Sequence, residues 1–152
     1  MYKRIFGTGP TGISATAVIW FLALKVEQWF GIPAIGLGDT FRLLLLILFV
    51  ADATFMTVWS VTALPIRARE NKLVTTGPFR WVRHPFYTAV IWSGTGAVAI
   101  WYYSWTVIFS VILVNLFWGW HIQQEEEFMV EKFGDEYRRY AEETGQFFPK
   151  LK

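Results

Sequence analysis

The stretch FRLLLLILFVADATFMTVWSVTAL, residues Phe41–Leu64, decides the fold class of this chain. An α-helix of about 20 mostly apolar residues crosses the hydrocarbon core of a bilayer, and this stretch is long enough to do so. Its first part, Leu43–Val50, contains no polar side chain. We therefore predict a transmembrane helix over 41–64.

The composition of the whole chain supports a membrane protein. Of its 152 residues, 54% are hydrophobic, 19% are aromatic and only 17% are charged, which is too apolar for an ordinary soluble domain of this size. The chain has no cysteine, so disulfides and thiolate metal sites are excluded, and no metal is predicted. The net charge of +2 is small and its basic residues cluster in one loop, which argues against a nucleic-acid surface.

Other apolar stretches predict three further helices. We read 13–30 as a retained first span, because the small residues at 15–17 precede its apolar centre, whereas a signal-peptide cleavage site would follow it. The apolar region 86–122 is too long for one helix, and the polar, aromatic residues 102–105 interrupt it. Two spans folded into a hairpin, 86–102 and 105–122, fit it better than one long tilted helix, which is the alternative.

The charged residues predict how these spans are oriented. The loop 65–85 holds five cations and one acid, whereas 31–40 holds only Asp39 among charged residues, so the positive-inside rule places the loop in the cytosol. With four spans, both termini lie on the same side. The tail 123–152 is predicted to be cytosolic and amphipathic, with a break at Gly134 before a new helix. The prediction is one domain, 1–152, an all-α polytopic membrane bundle.

Two motifs could carry chemistry where the chain leaves the membrane. Arg83-His84-Pro85 begins a helix, since proline suits the first helical turn, and the exposed amides of that turn favour an anionic ligand group. The plain alternative is a helix cap beside an interface cation. Glu125, Glu126 and Glu127 follow the last span, and at most two of them can face one partner. Beside aromatic residues they suit an ammonium or sulfonium ligand, or else form a solvated acidic collar.

Polar residues inside the predicted spans need partners. Asp52 must face protein, a ligand or a cavity, so it either lines a substrate channel or forms a neutral hydrogen bond, with Asn115 as a candidate partner. Gly94-Thr95-Gly96 lies within an apolar helix and predicts close helix packing, not a nucleotide-binding loop. His121, at the end of the last span, is either a titratable site residue or an ordinary interface histidine.

The order and spacing of these motifs resemble the isoprenylcysteine carboxyl methyltransferase and phospholipid methyltransferase superfamily. The resemblance covers 71–149, about half of the chain. It runs from Arg83-His84-Pro85-Phe86-Tyr87, through a helical hairpin, to the pair Glu125-Glu126, and then to Phe133-Gly134-Asp135-Glu136-Tyr137-Arg138-Arg139-Tyr140 and Pro149.

The resemblance implies an integral membrane enzyme that uses S-adenosylmethionine and releases S-adenosylhomocysteine, with the cofactor held on the cytosolic side. The cofactor contacts carried over by motif position are Asn71, Lys72, Leu73, Val74, Phe79, His84, Pro85, Phe86, Tyr87, Glu125 and Glu126. Phe79 stands where the carboxyl methyltransferases usually have tyrosine, so a hydroxyl contact is not implied there.

The methyl acceptor stays open at this stage. His121 stands where those enzymes have an arginine associated with the substrate carboxylate, and a histidine offers one titratable donor instead of a bidentate fork. The acceptor is a lipophilic small molecule or lipid with a carboxylate, amine or thiol, and His121 is our candidate for contacting it or taking its proton. The rival reading is a non-enzymatic membrane protein, such as a transporter subunit or assembly factor. The oligomeric state is not predicted.

Overall fold

The structure, a computed structural model, describes residues 8–64 and 72–150. Within these ranges the chain is helical apart from loops and one isolated parallel bridge, between Val82 and Gly145. The helices, in chain order, are α1 Gly9–Phe30, α2 Asp39–Ala63, a 3₁₀ helix Gly77–Arg80, α3 Pro85–Thr88, a π-helical segment Ala89–Gly94, α4 Thr95–Tyr102, α5 Trp105–His121, α6 Gln123–Phe133 and α7 Asp135–Glu143. The predicted all-α membrane bundle is confirmed.

Local sequence signals explain the ends of the first two helices. α1 carries a proline in its first turn, where the missing N–H costs nothing. It ends at Gly31, whose φ of 61° is left-handed and whose N–H bonds to the carbonyl of Gln28. α2 starts at Asp39, an acid at the positive end of the helix dipole.

Three helical stretches are long and apolar enough to cross a membrane by length and composition: Gly9–Phe30, Asp39–Ala63 and Trp105–Phe133. The apolar part of the third is α5, because α6 opens with two glutamines and three glutamates. α3, the π-helical segment and α4 follow one another between Pro85 and Tyr102, with the π-helical segment interrupting the α-helix. The count of four spans therefore stays a prediction. Large apolar side chains on α2 are exposed to the surroundings, as expected for contact with lipid: Leu43, Leu44, Ile47, Leu48, Phe55 and Val58.

The predicted break in the long apolar region is confirmed. α4 ends at Tyr102, Tyr103 adopts a left-handed φ of 55°, and α5 begins at Trp105. The alternative of one long tilted helix is therefore wrong.

Charged residues from the first two helices cap this hairpin turn. Glu27 of α1 accepts a hydrogen bond from the backbone N–H of Thr106 (3.0 Å), at the start of α5. Arg42 of α2 donates to the carbonyls of Ile100 (3.3 Å) and Trp101 (2.9 Å), at the end of α4. Each charge opposes the partial charge of the helix end that it caps.

Glycines let the helices approach closely. A Cβ on Gly12 of α1 would lie 2.3 Å from the ring of Trp118, and one on Gly96 of α4 would lie 2.5 Å from the ring of Phe49. Thr95, beside Gly96, accepts a hydrogen bond from the indole of Trp20 (3.1 Å). The packing role predicted for Gly94-Thr95-Gly96 is confirmed.

The suggested pairing of Asp52 with Asn115 is wrong. Asp52 on α2 accepts a hydrogen bond from the hydroxyl of Ser93, which the π-helical segment presents. The physical reason is packing, because α2 lies against that segment whereas α5 packs on α1.

Candidate functional site

The loop before α3 and the start of α6 meet at an ion-pair network. Arg83 holds Glu126 with two hydrogen bonds, from Nε to Oε1 (2.9 Å) and from Nη2 to Oε2 (3.2 Å). His84 Nε2 lies 3.0 Å from the same Oε1. Such bidentate, charge-assisted contacts are among the stronger hydrogen bonds in proteins. The network brings Arg83-His84-Pro85 and the glutamate pair together across about forty residues of sequence.

The tail is fastened to the same loop. The guanidinium of Arg83 also donates to the carbonyls of Ala141 (3.1 Å) and Thr144, at the end of α7. The backbone N–H groups of Arg83 and His84 donate to the carbonyls of Gly145 (2.8 Å) and Gln146 (3.2 Å). A cation at the carboxyl end of a helix satisfies carbonyls that have no partner within the helix. Arg83 therefore ties together the loop, α6 and the tail.

The turn that follows α7 requires glycine. A Cβ on Gly145 would lie 1.7 Å from the carbonyl oxygen of Phe148, so the two backbone segments could not keep this approach with any other residue. The carbonyl of Gly145 is the one that receives the backbone N–H of Arg83, so this turn helps to shape the site.

The network keeps Glu126 ionised. Burial alone raises the pKa of this carboxyl, but hydrogen bonds from His84 and Arg83, together with their positive charge, lower it to about 2 from its ordinary 4.5. Both oxygens are engaged by these two residues. Glu126 therefore acts as the anchor of α6 on the loop.

Two tyrosines of α7 close the network on the tail side. Burial raises the pKa of both Tyr137 and Tyr140, and the nearby charge of Glu126 raises it further, so both stay phenols. The hydroxyl of Tyr140 donates to the carbonyl of Phe79 (2.7 Å). The predicted break at Gly134 is confirmed, since α6 ends at Phe133 and α7 starts at Asp135.

Glu125 has different hydrogen-bond partners from Glu126. Its Oε2 accepts hydrogen bonds from the hydroxyls of Tyr87 (3.1 Å) and Thr8 (3.1 Å). Within residues 8–64 and 72–150, no group donates a hydrogen bond to its Oε1, and the side chain is only partly buried.

The start of α1 also fixes His121. The Nε2 atom of His121 lies 2.9 Å from the hydroxyl of Thr11 and 3.2 Å from the carbonyl of Thr8. The hydroxyl of Thr11 donates its own proton to the same carbonyl (2.9 Å). A carbonyl only accepts, so Nε2 carries the proton, and Nδ1 is the basic nitrogen of the neutral ring.

Aromatic rings line the buried end of the site. Tyr87 stacks on Trp118 with centroids 4.4 Å apart, and His84 stacks on Tyr87 at 5.5 Å. Phe147 of the tail lies against His84 with centroids 6.1 Å apart. A carboxylate close to the faces of aromatic rings is a combination that suits an organic cation.

The structure brings some of the predicted site residues together and leaves others apart. His84, Pro85, Tyr87, Glu125 and Glu126 come together, and Phe79 contributes its carbonyl to α7. Asn71 lies outside the described residues. The remaining predicted residues range from buried to exposed and do not join the network: Lys72, Leu73, Val74 and Phe86.

Sequence reasoning missed two contributors to the site. Arg83 stood within the quoted motif but was not assigned to the site, although its charge was the available signal. Thr8 comes from the first helix, where nothing in the sequence distinguishes a site residue from an ordinary helix start.

Comparisons with known proteins show which family the chain resembles. The sequence profile of the phospholipid methyltransferase family matches residues 26–136. Protein-S-isoprenylcysteine O-methyltransferase B of Arabidopsis thaliana is 29% identical over 136 residues, which cover 87% of this chain and 66% of that protein. A probable protein-S-isoprenylcysteine O-methyltransferase of Oryza sativa subsp. indica is 30% identical over 139 residues, covering 88% of this chain and 69% of the rice protein.

A yeast relative shares a shorter region. Protein-S-isoprenylcysteine O-methyltransferase of Schizosaccharomyces pombe is 32% identical over 84 residues, 55% of this chain and 35% of the yeast protein. This chain thus spans about two thirds of the length of the plant relatives and about one third of the yeast relative. The family match extends well before residue 71, so the similarity is wider than the motifs alone indicated.

Proposed function

Because this chain belongs to the phospholipid methyltransferase family, we propose that it transfers a methyl group from S-adenosylmethionine to a lipophilic or amphiphilic acceptor at the membrane. The prediction of a membrane methyltransferase is confirmed at the level of the family, and the non-enzymatic alternative is not favoured. The cofactor site, the acceptor and the roles of individual residues are our proposals.

Glu125 would bind the ammonium group of the cofactor. This assignment is supported by the oxygen of Glu125 that receives no hydrogen bond from the described residues, and by the two hydroxyls that orient its other oxygen. His84 and the residues of the loop would bind the carboxylate or the ribose, and Glu126 would hold His84 in place. When bound, S-adenosylmethionine supplies a methyl group on a positive sulfur.

The main task of the protein would be alignment. Holding a nucleophile and a methyl group in line can supply roughly 7 to 11 kcal/mol in favourable cases. A base is needed only where the acceptor carries a proton, and His121 would take it at Nδ1, since Nε2 is the donor to Thr8. Thr8 bonds both Glu125 and His121, so the residue that precedes α1 would orient both the cofactor ligand and the proposed base.

The names of the relatives suggest candidate acceptors for this chain. Those relatives are isoprenylcysteine O-methyltransferases, so an isoprenylcysteine-type carboxylate is one candidate, with a phospholipid amine or a thiol as the others. The cations Lys72, Arg80 and Arg83 support placing the loop, and the tail bonded to it, on the cytosolic side.

The observation that carries the proposal is the meeting of His84, Tyr87 and the glutamate pair at one end of the bundle. Isothermal titration of the detergent-solubilised protein with S-adenosylhomocysteine tests it directly. We expect binding that Glu125→Ala abolishes and that Glu127→Ala, the exposed neighbour, leaves intact. Absence of binding to the wild type would favour a non-enzymatic membrane protein.

The acceptor is then identified by product analysis. Labelled S-adenosylmethionine is incubated with the protein and a total membrane lipid extract, and the labelled product is characterised. Incorporation that depends on Glu125 supports methyl transfer. Binding of S-adenosylhomocysteine without any incorporation would place the acceptor outside the lipid extract.

A further inference from the structure

Two buried nitrogen atoms have no function in the site described so far. Among residues 8–64 and 72–150, the buried side-chain nitrogens without a hydrogen-bond partner are Nε1 of Trp92 and Nδ2 of Asn115. Buried polar groups are nearly always paired, so each exception requires an explanation. Trp92 lies in the π-helical segment, a geometry that is frequent at functional sites.

The two donors lie at a similar depth in the bundle. Tyr87 and Trp118 stack face to face, with centroids 4.4 Å apart, and fix the register between α3 and α5. Trp92 follows Tyr87 by five residues, and Asn115 precedes Trp118 by three. Because the chain runs in opposite directions along the two helices and rises about 1.5 Å per residue, the two positions differ in height by roughly 3 Å.

Contacts with the tail place both donors on the same side of the bundle. The ring of Phe148 packs on Trp92 with centroids 4.6 Å apart. One turn after Asn115, a Cβ on Gly119 would lie 3.7 Å from the side-chain oxygen of Gln146. Residues four apart share a helix face, so Asn115 lies on the side of α5 that the tail covers. Trp92 of the π-helical segment and Asn115 of α5 therefore lie on the side of the bundle that residues 146–148 cover.

The chemistry of the pair selects the ligand. An indole N–H and an amide N–H are neutral donors, and they suit an oxygen acceptor and not an ammonium group. Asn115 precedes His121, the last residue of α5, by six residues, so it lies about 9 Å deeper than the end of the helix from which the chain continues to Glu125. The bound oxygen would thus belong to the apolar, chain-bearing part of a molecule and not to the group beside Glu125.

We propose that Trp92 and Asn115 form a lateral subsite that binds a carbonyl or carboxylate oxygen of a long-chain amphiphile. That this amphiphile is the methyl acceptor rests on the proposed function, whereas its binding can be tested without turnover.

Nuclear magnetic resonance of the indole groups tests the subsite. The protein is labelled with ¹⁵N-tryptophan in an alkyl maltoside, a detergent without a carbonyl, and the Trp92 signal is assigned by its absence in Trp92→Phe. The probes are monopalmitoylglycerol with an ester, palmitate with a carboxylate, and 1-O-hexadecylglycerol with neither. We expect a downfield shift of the Trp92 indole proton with a carbonyl probe and none with the ether.

Substitutions separate binding from structure. Asn115→Leu should weaken binding of the carbonyl probe about three- to tenfold, as expected for the loss of one neutral hydrogen bond. Its melting temperature should not fall, because a buried unpaired group is removed. Trp120→Phe, at a position 67% exposed, is the control and should bind like the wild type.

Three outcomes would overturn the subsite: no shift with either carbonyl probe, an equal shift with the ether, or a lower melting temperature of Asn115→Leu with unchanged binding. A response to palmitate alone would support the proposal and assign a carboxylate, and a response to both would assign any carbonyl. Calorimetry with S-adenosylhomocysteine keeps the two proposals apart. Cofactor binding without a carbonyl response overturns only the subsite, and a carbonyl response without cofactor binding overturns only methyl transfer.

Discussion

Replacing Glu126 with glutamine should weaken the attachment of α6 to the loop. The substitution preserves shape but removes the negative charge that Arg83 and His84 surround. The side chains of Arg83 and Glu126 are only 11% and 21% exposed, so water can replace few of the lost hydrogen bonds. Arg83 keeps its contacts to the carbonyls of Ala141 and Thr144, and the loss is therefore partial.

The pKa of Glu126 sets the size of the effect. A fall from 4.5 to about 2 corresponds, at about 1.4 kcal/mol per pKa unit, to about 3 kcal/mol of stability at neutral pH. The ionised form is favoured by folding, so this stability is fully present above pH 4.5 and is lost as the pH falls towards 2. Removing one partner of a buried ion pair typically costs about 3 to 5 kcal/mol. The value derived from the pKa of Glu126 lies at the lower end of that range.

The assay is equilibrium unfolding in a non-ionic detergent, followed by near-ultraviolet circular dichroism. We expect Glu126→Gln to lower the unfolding free energy by about 3 kcal/mol at pH 7 and to be less sensitive to acid than the wild type between pH 4.5 and 2. Glu127→Gln, an exposed neighbour on the same helix, should behave like the wild type. A loss below about 1 kcal/mol, the range of exposed pairs, or an unchanged acid profile, would refute the anchoring role of Glu126.

Three further predictions test the bundle and the site. Gly12→Ala should destabilise the protein by about 1 to 3 kcal/mol or more, because its Cβ would overlap the ring of Trp118. Gly36 has open space around it, so Gly36→Ala should not destabilise the protein, and thermal unfolding of the two variants tests this difference. Tyr140→Phe should cost about 1 kcal/mol in the same measurement, because the partly buried carbonyl of Phe79 loses its donor, and an unchanged midpoint would contradict this. His121→Ala should lower turnover of the identified acceptor while S-adenosylhomocysteine affinity stays the same, and unchanged turnover would remove His121 from the mechanism.

Features that depend on local sequence were predicted correctly. The helix over 41–64, the break near Tyr103 and the restart after Gly134 follow from apolar length, from polar aromatic residues and from a glycine with a first-turn acid. Each of these signals acts within one or two helical turns, so a single sequence contains them in full.

The partners of individual side chains on neighbouring helices were not predicted correctly. The choice of Ser93 over Asn115 as the partner of Asp52 depends on which helix lies against α2. The contribution of Thr8 to Glu125 depends on α1 packing beside α5, which glycine at position 12 permits. No periodicity in the sequence encodes the rotation of one apolar helix about another.

The sequence by itself determined that this chain is an all-helical membrane protein with a basic loop and an acidic tail, because hydropathy and turn residues act locally. Only the tertiary structure decided which glutamate is anchored by Arg83 and His84 and which one is bonded to Thr8 and Tyr87. Glu125 and Glu126 are adjacent and chemically identical, and they differ because helix geometry turns them about 100° apart, one towards α1 and Tyr87, the other towards Arg83 and His84.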